Sequence, residues 1–187
     1  MRRVLTTSQA YELDRRASAD FNISGESLMG NAGSAIANFI SKHPFDKSVK
    51  SIAVVVGKGN NGGDGFSAAL ELDKLNFDVS IFSIYRHEKL SKDSLLFFKK
   101  CKENQIPISE GTRPPFGENF DLIVDAILGI GFSGHLRSEL SEWVEWINLN
   151  PTILCCDVPT GLNSYNGLIS NPTVKATHTL TTVSYTH

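Results

Sequence analysis

The stretch Ser51-Ile-Ala-Val-Val-Val-Gly-Lys-Gly-Asn-Asn-Gly-Gly-Asp-Gly65, running on into Phe66 to Leu75, decides the fold class. Ser51 to Val56 is a short β-branched run, apolar on both faces as buried parallel strands are. Gly57 to Gly65 then places five glycines in nine residues, and Phe66 to Leu75 reads as a helix. A glycine-rich loop between a strand and a helix lets backbone approach a ligand closely, with N–H groups pointing outward. Working outward, Asp78 to Tyr85, Phe120 to Val124, Thr152 to Cys156 and Thr177 to Thr182 read as further strands. Ser91 to Asn104 and Ser138 to Leu149 read as helices between them. Upstream, the capping-box spacing of Thr6 and Gln9 starts a helix reaching about Ala19, and a second runs from about Ser24 to Lys42. Strands alternating with helices of this length imply right-handed crossovers. The expected architecture is α/β, a Rossmann-like three-layer sandwich with a mostly parallel sheet and helices on both faces.

The 187 residues suit one domain with a substantial core, and 18 basic against 20 acidic side chains leave a formal charge of -2. That balance, with no Lys/Arg-dense stretch, gives no electrostatic footprint for nucleic acid or anionic lipid. No window approaches the length of an apolar membrane span, and Met1 to Leu13 has no apolar run behind its two arginines, so a cytoplasmic protein is expected. Cys101, Cys155 and Cys156 read as reduced thiols, since neighbours on a strand face opposite ways. Without C-x-x-C or H-x-x-x-H, zinc and thioredoxin-type chemistry lack their ligand spacing.

Three strands deliver polar, glycine-bearing loops at their carboxyl ends, the edge where open parallel sheets bind ligands. The first is Gly57 to Gly65. The second begins at Asp125 and continues through Ala-Ile-Leu to Gly129-Ile-Gly-Phe-Ser-Gly-His135; the third is Asp157-Val-Pro-Thr-Gly161. A carboxylate at the end of an apolar strand needs a cation or hydrogen-bond donors facing it. Taken singly, Asp125 also reads as a loop cap and Asp157 as an Asx turn. The oxygen set of Asn61, Asp125 and Thr160 carries one formal charge, which suits a weakly hydrated monovalent cation better than magnesium. Gly57, Gly59 and Gly62 also match G-x-G-x-x-G, which raises a nicotinamide dehydrogenase, but Tyr85, Arg86 and His87 stand where its ribose-binding acid belongs. Gly131-Phe-Ser-Gly-His135 breaks the serine-hydrolase elbow, a lone His135 reads as a solvated group, and Trp143 and Trp146 read as core or interface packing.

Asn60-Asn-Gly-Gly-Asp-Gly65, Asp125-Ala-Ile-Leu-Gly129 and Asp157-Val-Pro-Thr-Gly161 resemble, in order and spacing, the three signatures of the YjeF N-terminal domain, the NAD(P)HX epimerases. Thr6, Gln9, Asp14 and Leu28-Met-Gly-Asn-Ala-Gly33 look like that family's leader, so the resemblance covers nearly the whole chain. It implies interconversion of the R and S epimers of hydrated NADH and NADPH (NADHX and NADPHX), usually by a homodimer, in partnership with an S-specific dehydratase. It further implies a substrate held by Asn60, Asn61, Gly62, Gly63 and Asp64, by Gly129, Ile130, Gly131, Phe132, Ser133, Gly134 and His135, and by Asp157. A potassium ion (K+) would lie on Asn61, Asp125 and Thr160. Epimerisation requires proton transfer, for which Asp157 is the first choice and Asp64 the second.

Gly30 stands where the family usually has glutamate, and Thr160 replaces the commoner serine while keeping the oxygen. After Thr177-His-Thr-Leu-Thr181 the family continues through a lysine-glycine segment, whereas this chain ends at His187. One domain over residues 1–187, truncated at its carboxyl end and separated from a dehydratase of the kind fused in many bacterial members, is the expectation. The alternative is a non-catalytic binding or scaffold module on the same fold; such modules tend to lose the loop residues that Asn61, Asp64, Asp125 and Asp157 retain here.

Overall fold

The computed structural model describes residues 6–43, 45, 48–111 and 113–181; Val183 to His187, beyond the point where the family's pattern is left, lie outside them, as does the side chain of Asp14. Thr6 opens α1 (Thr7–Phe21) with the expected capping box: the Gln9 N–H donates to Thr6 Oγ1 at 3.3 Å and the Thr6 N–H to Gln9 Oε1 at 2.9 Å. Ser24 caps α2 (Gly25–Lys42) by accepting from the Ser27 N–H. The chain then alternates: β1 (Ser51–Val56), α3 (Asn60–Lys74), β2 (Asp78–Ser83), a 3-10 turn at His87–Lys89, α4 (Lys92–Glu103), β3 (Ile108–Glu110), β4 (Leu122–Ala126), α5 (Ser138–Ile147), β5 (Ile153–Cys156) and β6 (His178–Leu180).

Six strands form one sheet in the order β3-β2-β1-β4-β5-β6, every neighbouring pair parallel. Two apolar layers cover it. One face packs Ile36, Ile40, Phe66, Leu72, Phe97 and Phe98 of α2, α3 and α4 against Val54, Val56 and Val124. The other packs Trp143, Val144 and Ile147 of α5 against Val55, Ile123 and Ile153. This is the three-layer α/β sandwich expected. Trp143 and Trp146 are core residues, meeting edge to face with centroids 5.8 Å apart. The three cysteines are free and buried. Because β1 is flanked by β2 and β4, the chain turns one way after β1 and the other way after β4. The carboxyl ends of that central pair therefore open into a crevice.

Three of the boundaries that differ from the sequence expectation bear on the ligand-facing edge. The glycine-rich stretch is not a loop through Gly65: α3 begins at Asn60. Its glycines serve close packing instead. A Cβ on Gly62 would collide with the Gly57 carbonyl, one on Gly63 with Met29, and one on Gly65 would lie 2.6 Å from Ala126 Cβ. The second strand ends at Ser83 rather than Tyr85, and β4 runs through Ala126, so Asp125 is part of the strand and not the first residue after it. The three-residue β3 gave no sequence signal, being too short to show an alternation.

Candidate active site

Asp125 is fully buried and pairs in register with Val55 of β1 and Cys155 of β5. Its carboxylate accepts from the Thr160 N–H at 2.8 Å, the Thr160 hydroxyl at 2.8 Å, the Ile127 N–H at 3.2 Å and the Cys155 thiol at 3.2 Å. Burial pushes its pKa up, and these donors pull against that rise. The requirement that something face this carboxylate is thus met by hydrogen-bond donors, chiefly Thr160. The same threonine hydroxyl accepts from the Leu128 N–H at 3.1 Å, tying the β4 and β5 loops together.

Asp157 follows β5 with φ +70, a left-handed conformation that aspartate tolerates better than most side chains. Its N–H donates to the Leu180 carbonyl at 2.8 Å, which fixes the residue against β6. One carboxylate oxygen, Oδ2, accepts from the Ile130 N–H at 2.7 Å. The other, Oδ1, is buried with no hydrogen-bond partner. Burial raises this pKa also, opposed by the Ile130 bond. Both polar atoms of the Asn61 amide are likewise buried and unpartnered. Gly129 separates the two: a Cβ there would lie 2.6 Å from Asp157 Oδ2 and 3.4 Å from Asn61 Cβ. Only glycine permits this approach.

A cavity of about 570 Å³ opens at this edge of the sheet, within the range of small-molecule sites. Of the residues singled out from sequence, Asn60, Asn61, Asp64, Gly129, Ile130, Gly131, Phe132, Ser133, His135 and Asp157 line it. Gly62 and Gly63 do not; they are buried inside α3 against Gly57 and Met29, where their role is to let the helix approach the strand end. Gly134 also stays off the wall, at an exposed left-handed turn with φ +84. Asp125 and Thr160 sit behind the cavity rather than on its surface. Sequence reasoning missed Lys58, Tyr85 and Arg137, which also line it. The signal was present, since Lys58 lies inside the glycine stretch and Tyr85 occupies the place where a dehydrogenase carries its acid.

A dinucleotide-type α/β sheet with polar loops gathered at its switch point is the class that fold and cavity define. The chain matches the family model "YjeF-related protein N-terminus" over residues 25–186, and it belongs to that family. It is 34% identical over 185 residues to a protein named NAD(P)H-hydrate epimerase from Oenococcus oeni, covering 95% of this chain and 83% of that one. It is 36% identical over 162 residues to a bifunctional NAD(P)H-hydrate repair enzyme, Nnr, from Archaeoglobus fulgidus, covering 86% of this chain and 33% of that longer protein. Among solved structures, the crystal structure of yeast ynu0, YNL200c, superposes with a TM-score of 0.81 at 24% identity, over 95% of this chain and 79% of that one; this likeness speaks for the fold.

Proposed function

We propose that this chain is an NAD(P)H-hydrate epimerase, an isomerase that interconverts the R and S epimers of hydrated NADH and NADPH. The observation that carries the mechanism is the asymmetry of Asp157: one oxygen is anchored by the Ile130 N–H, while the other is buried, unpartnered and part of a residue on the cavity wall. Inverting the hydrated carbon requires its hydroxyl to leave and return, or the ring to open and close, and either route moves a proton. The unpartnered Oδ1 is the atom that gives and retakes it. A raised pKa brings the carboxyl nearer to neutrality than an exposed aspartate, which favours reversible transfer. Asn60, Asn61 and Asp64 at the start of α3, with the Gly129–His135 loop, hold the substrate against that atom.

Potassium fits this site in one respect. The buried Asn61 amide oxygen lacks a partner, and a cation would satisfy it. Asn61, Asp125 and Thr160 would hold the ion, which would supply a positive charge when bound. Thr160 itself ties Asp125 and Leu128 together, donating to the first and accepting from the second. A homodimer, a cytoplasmic setting and an S-specific dehydratase partner, separate or fused, complete the reading; the longer bifunctional relative supports the last of these. The test supplies the R epimer together with an S-specific dehydratase. Reduced cofactor must return faster when this protein is added, and an unchanged rate would remove the proposal.

A further inference from the structure

Lys58 and Arg137 are on the wall of the same cavity, and both are grouped around Tyr85. The Lys58 ammonium lies over the Tyr85 ring, 5.6 Å from its centroid. Arg137 opens α5 two residues before Glu139, whose carboxylate accepts from the Tyr85 hydroxyl at 2.9 Å. Glu139 is thus turned to the phenol and is not on the cavity wall. The ion pairs seen among the described residues are made by Arg15, Arg16, Lys74, His87, Lys100 and Lys102.

Tyr85, which gathers this group, follows β2, with Lys58 reaching its ring from the end of β1 and Arg137 coming from the start of α5, whereas Asp157 follows β5. In the order β2-β1-β4-β5 the ends of β2 and β5 are three strand spacings apart, about 14 Å at the usual interstrand distance. A dinucleotide whose nicotinamide ring meets Asp157 therefore extends its adenosine half toward β2. Dinucleotide folds that select the unphosphorylated ribose place an acid at that strand end, and those that take a 2′-phosphate place a cation there. Here no acid follows β2 until Glu88, which is exposed and lies 3.6 Å from the His87 ring.

Resting on the epimerase reading for the orientation of the nucleotide, we infer that Lys58 and Arg137 form a subsite for the 2′-phosphate of the adenosine ribose. The chain accordingly prefers hydrated NADPH to hydrated NADH. Two cations meeting a dianion through charge-assisted hydrogen bonds account for a preference of about tenfold or more, even with solvent screening.

Calorimetric titration of the full chain with adenosine 2′,5′-bisphosphate and with adenosine 5′-monophosphate tests the subsite without reference to turnover. The bisphosphate should bind about tenfold tighter, and Lys58→Ala or Arg137→Ala should erase most of that margin, with Lys58→Arg keeping it. In parallel, the ratio of kcat/KM for NADPHX over NADHX should fall by a similar factor in the alanine variants. Equal affinity for the two probes, no binding of either, or equal losses for both in the variants overturns the subsite. Absence of epimerisation with intact discrimination between the probes would refute the activity while leaving the subsite standing.

Discussion

Replacing Asp157 by asparagine separates chemistry from stability, because the structure assigns opposite signs to the two effects. Asparagine keeps the size of the side chain, an oxygen able to accept the Ile130 N–H, and tolerance of φ +70. It cannot take up or release a proton at the position of Oδ1. General acid-base catalysis contributes about a hundred- to ten-thousand-fold, so the epimerisation rate should fall by about 3 to 5 kcal/mol of barrier. Stability should move the other way or not at all. Burial raises the folded pKa of Asp157 above its ordinary value of 3.8. A group so shifted contributes stability that is complete below the unfolded pKa and is lost as pH rises through the folded one. Where this carboxyl is ionised in the folded protein its burial opposes folding, a cost that the neutral amide removes. The assay pairs initial rates in the coupled dehydratase system with urea unfolding at pH 7. A rate within tenfold of the parent would refute the acid-base role. A midpoint lowered with unchanged slope would refute the claim that burial of this charge opposes folding.

Three further outcomes follow from the same geometry. Thr160→Val removes a hydroxyl that donates to buried Asp125 and accepts from Leu128; urea unfolding should show a loss of about 2 to 4 kcal/mol, and a loss below about 1 would mean the hydroxyl is not the tie between the loops. Gly129→Ala puts a methyl 2.6 Å from Asp157 Oδ2, so kcat should drop about a hundredfold from misplacement of the carboxylate, and undiminished turnover would show that this approach is not needed. Tyr85 has its pKa pushed up to about 12 by burial and by the Glu139 hydrogen bond. The stability linked to that phenol is complete below pH 10 and lost as pH rises through about 12, and ultraviolet titration should show a late phenolate step that Tyr85→Phe abolishes.

The parallel sheet was legible because the central strands are runs of β-branched and apolar residues, and α1, α2 and α4 carry their own caps. Ser51–Val56 has the same limits in sequence and in structure. What local pattern could not encode is tertiary approach. Five glycines argue for a loop on conformational entropy alone, yet Asn60 to Gly65 are helical because packing on Gly57, Met29 and Ala126 leaves no room for side chains. For the same reason the glycine stretch overstates the ligand-facing set: Gly62 and Gly63 look inward. Lys58 and Tyr85 were passed over because their meaning depends on which strand ends are neighbours, and that order appears only once the sheet is assembled.

The two strand-end aspartates look alike in sequence, and the structure separates them by counting donors. Asp125 receives four, two of them from Thr160, so its oxygens are engaged within the protein and it acts as a clasp between β4 and the loop after β5. Asp157 receives one, leaving a buried oxygen unmatched at the cavity. Unsatisfied buried polar atoms are costly and so are rare, and this one belongs to a residue of the cavity wall. The anchoring donor is itself held. The Ile130 carbonyl accepts from the Ser164 hydroxyl at 2.9 Å, and Ser164 lies 3.3 Å from the Thr7 hydroxyl at the start of α1. The geometry of the reacting oxygen therefore depends on three segments distant in sequence, α1, the β4 loop and the segment after β5. Ser164→Ala should lower kcat more than it raises KM, since it loosens the Ile130 peptide that positions Asp157 without removing a group from the cavity wall.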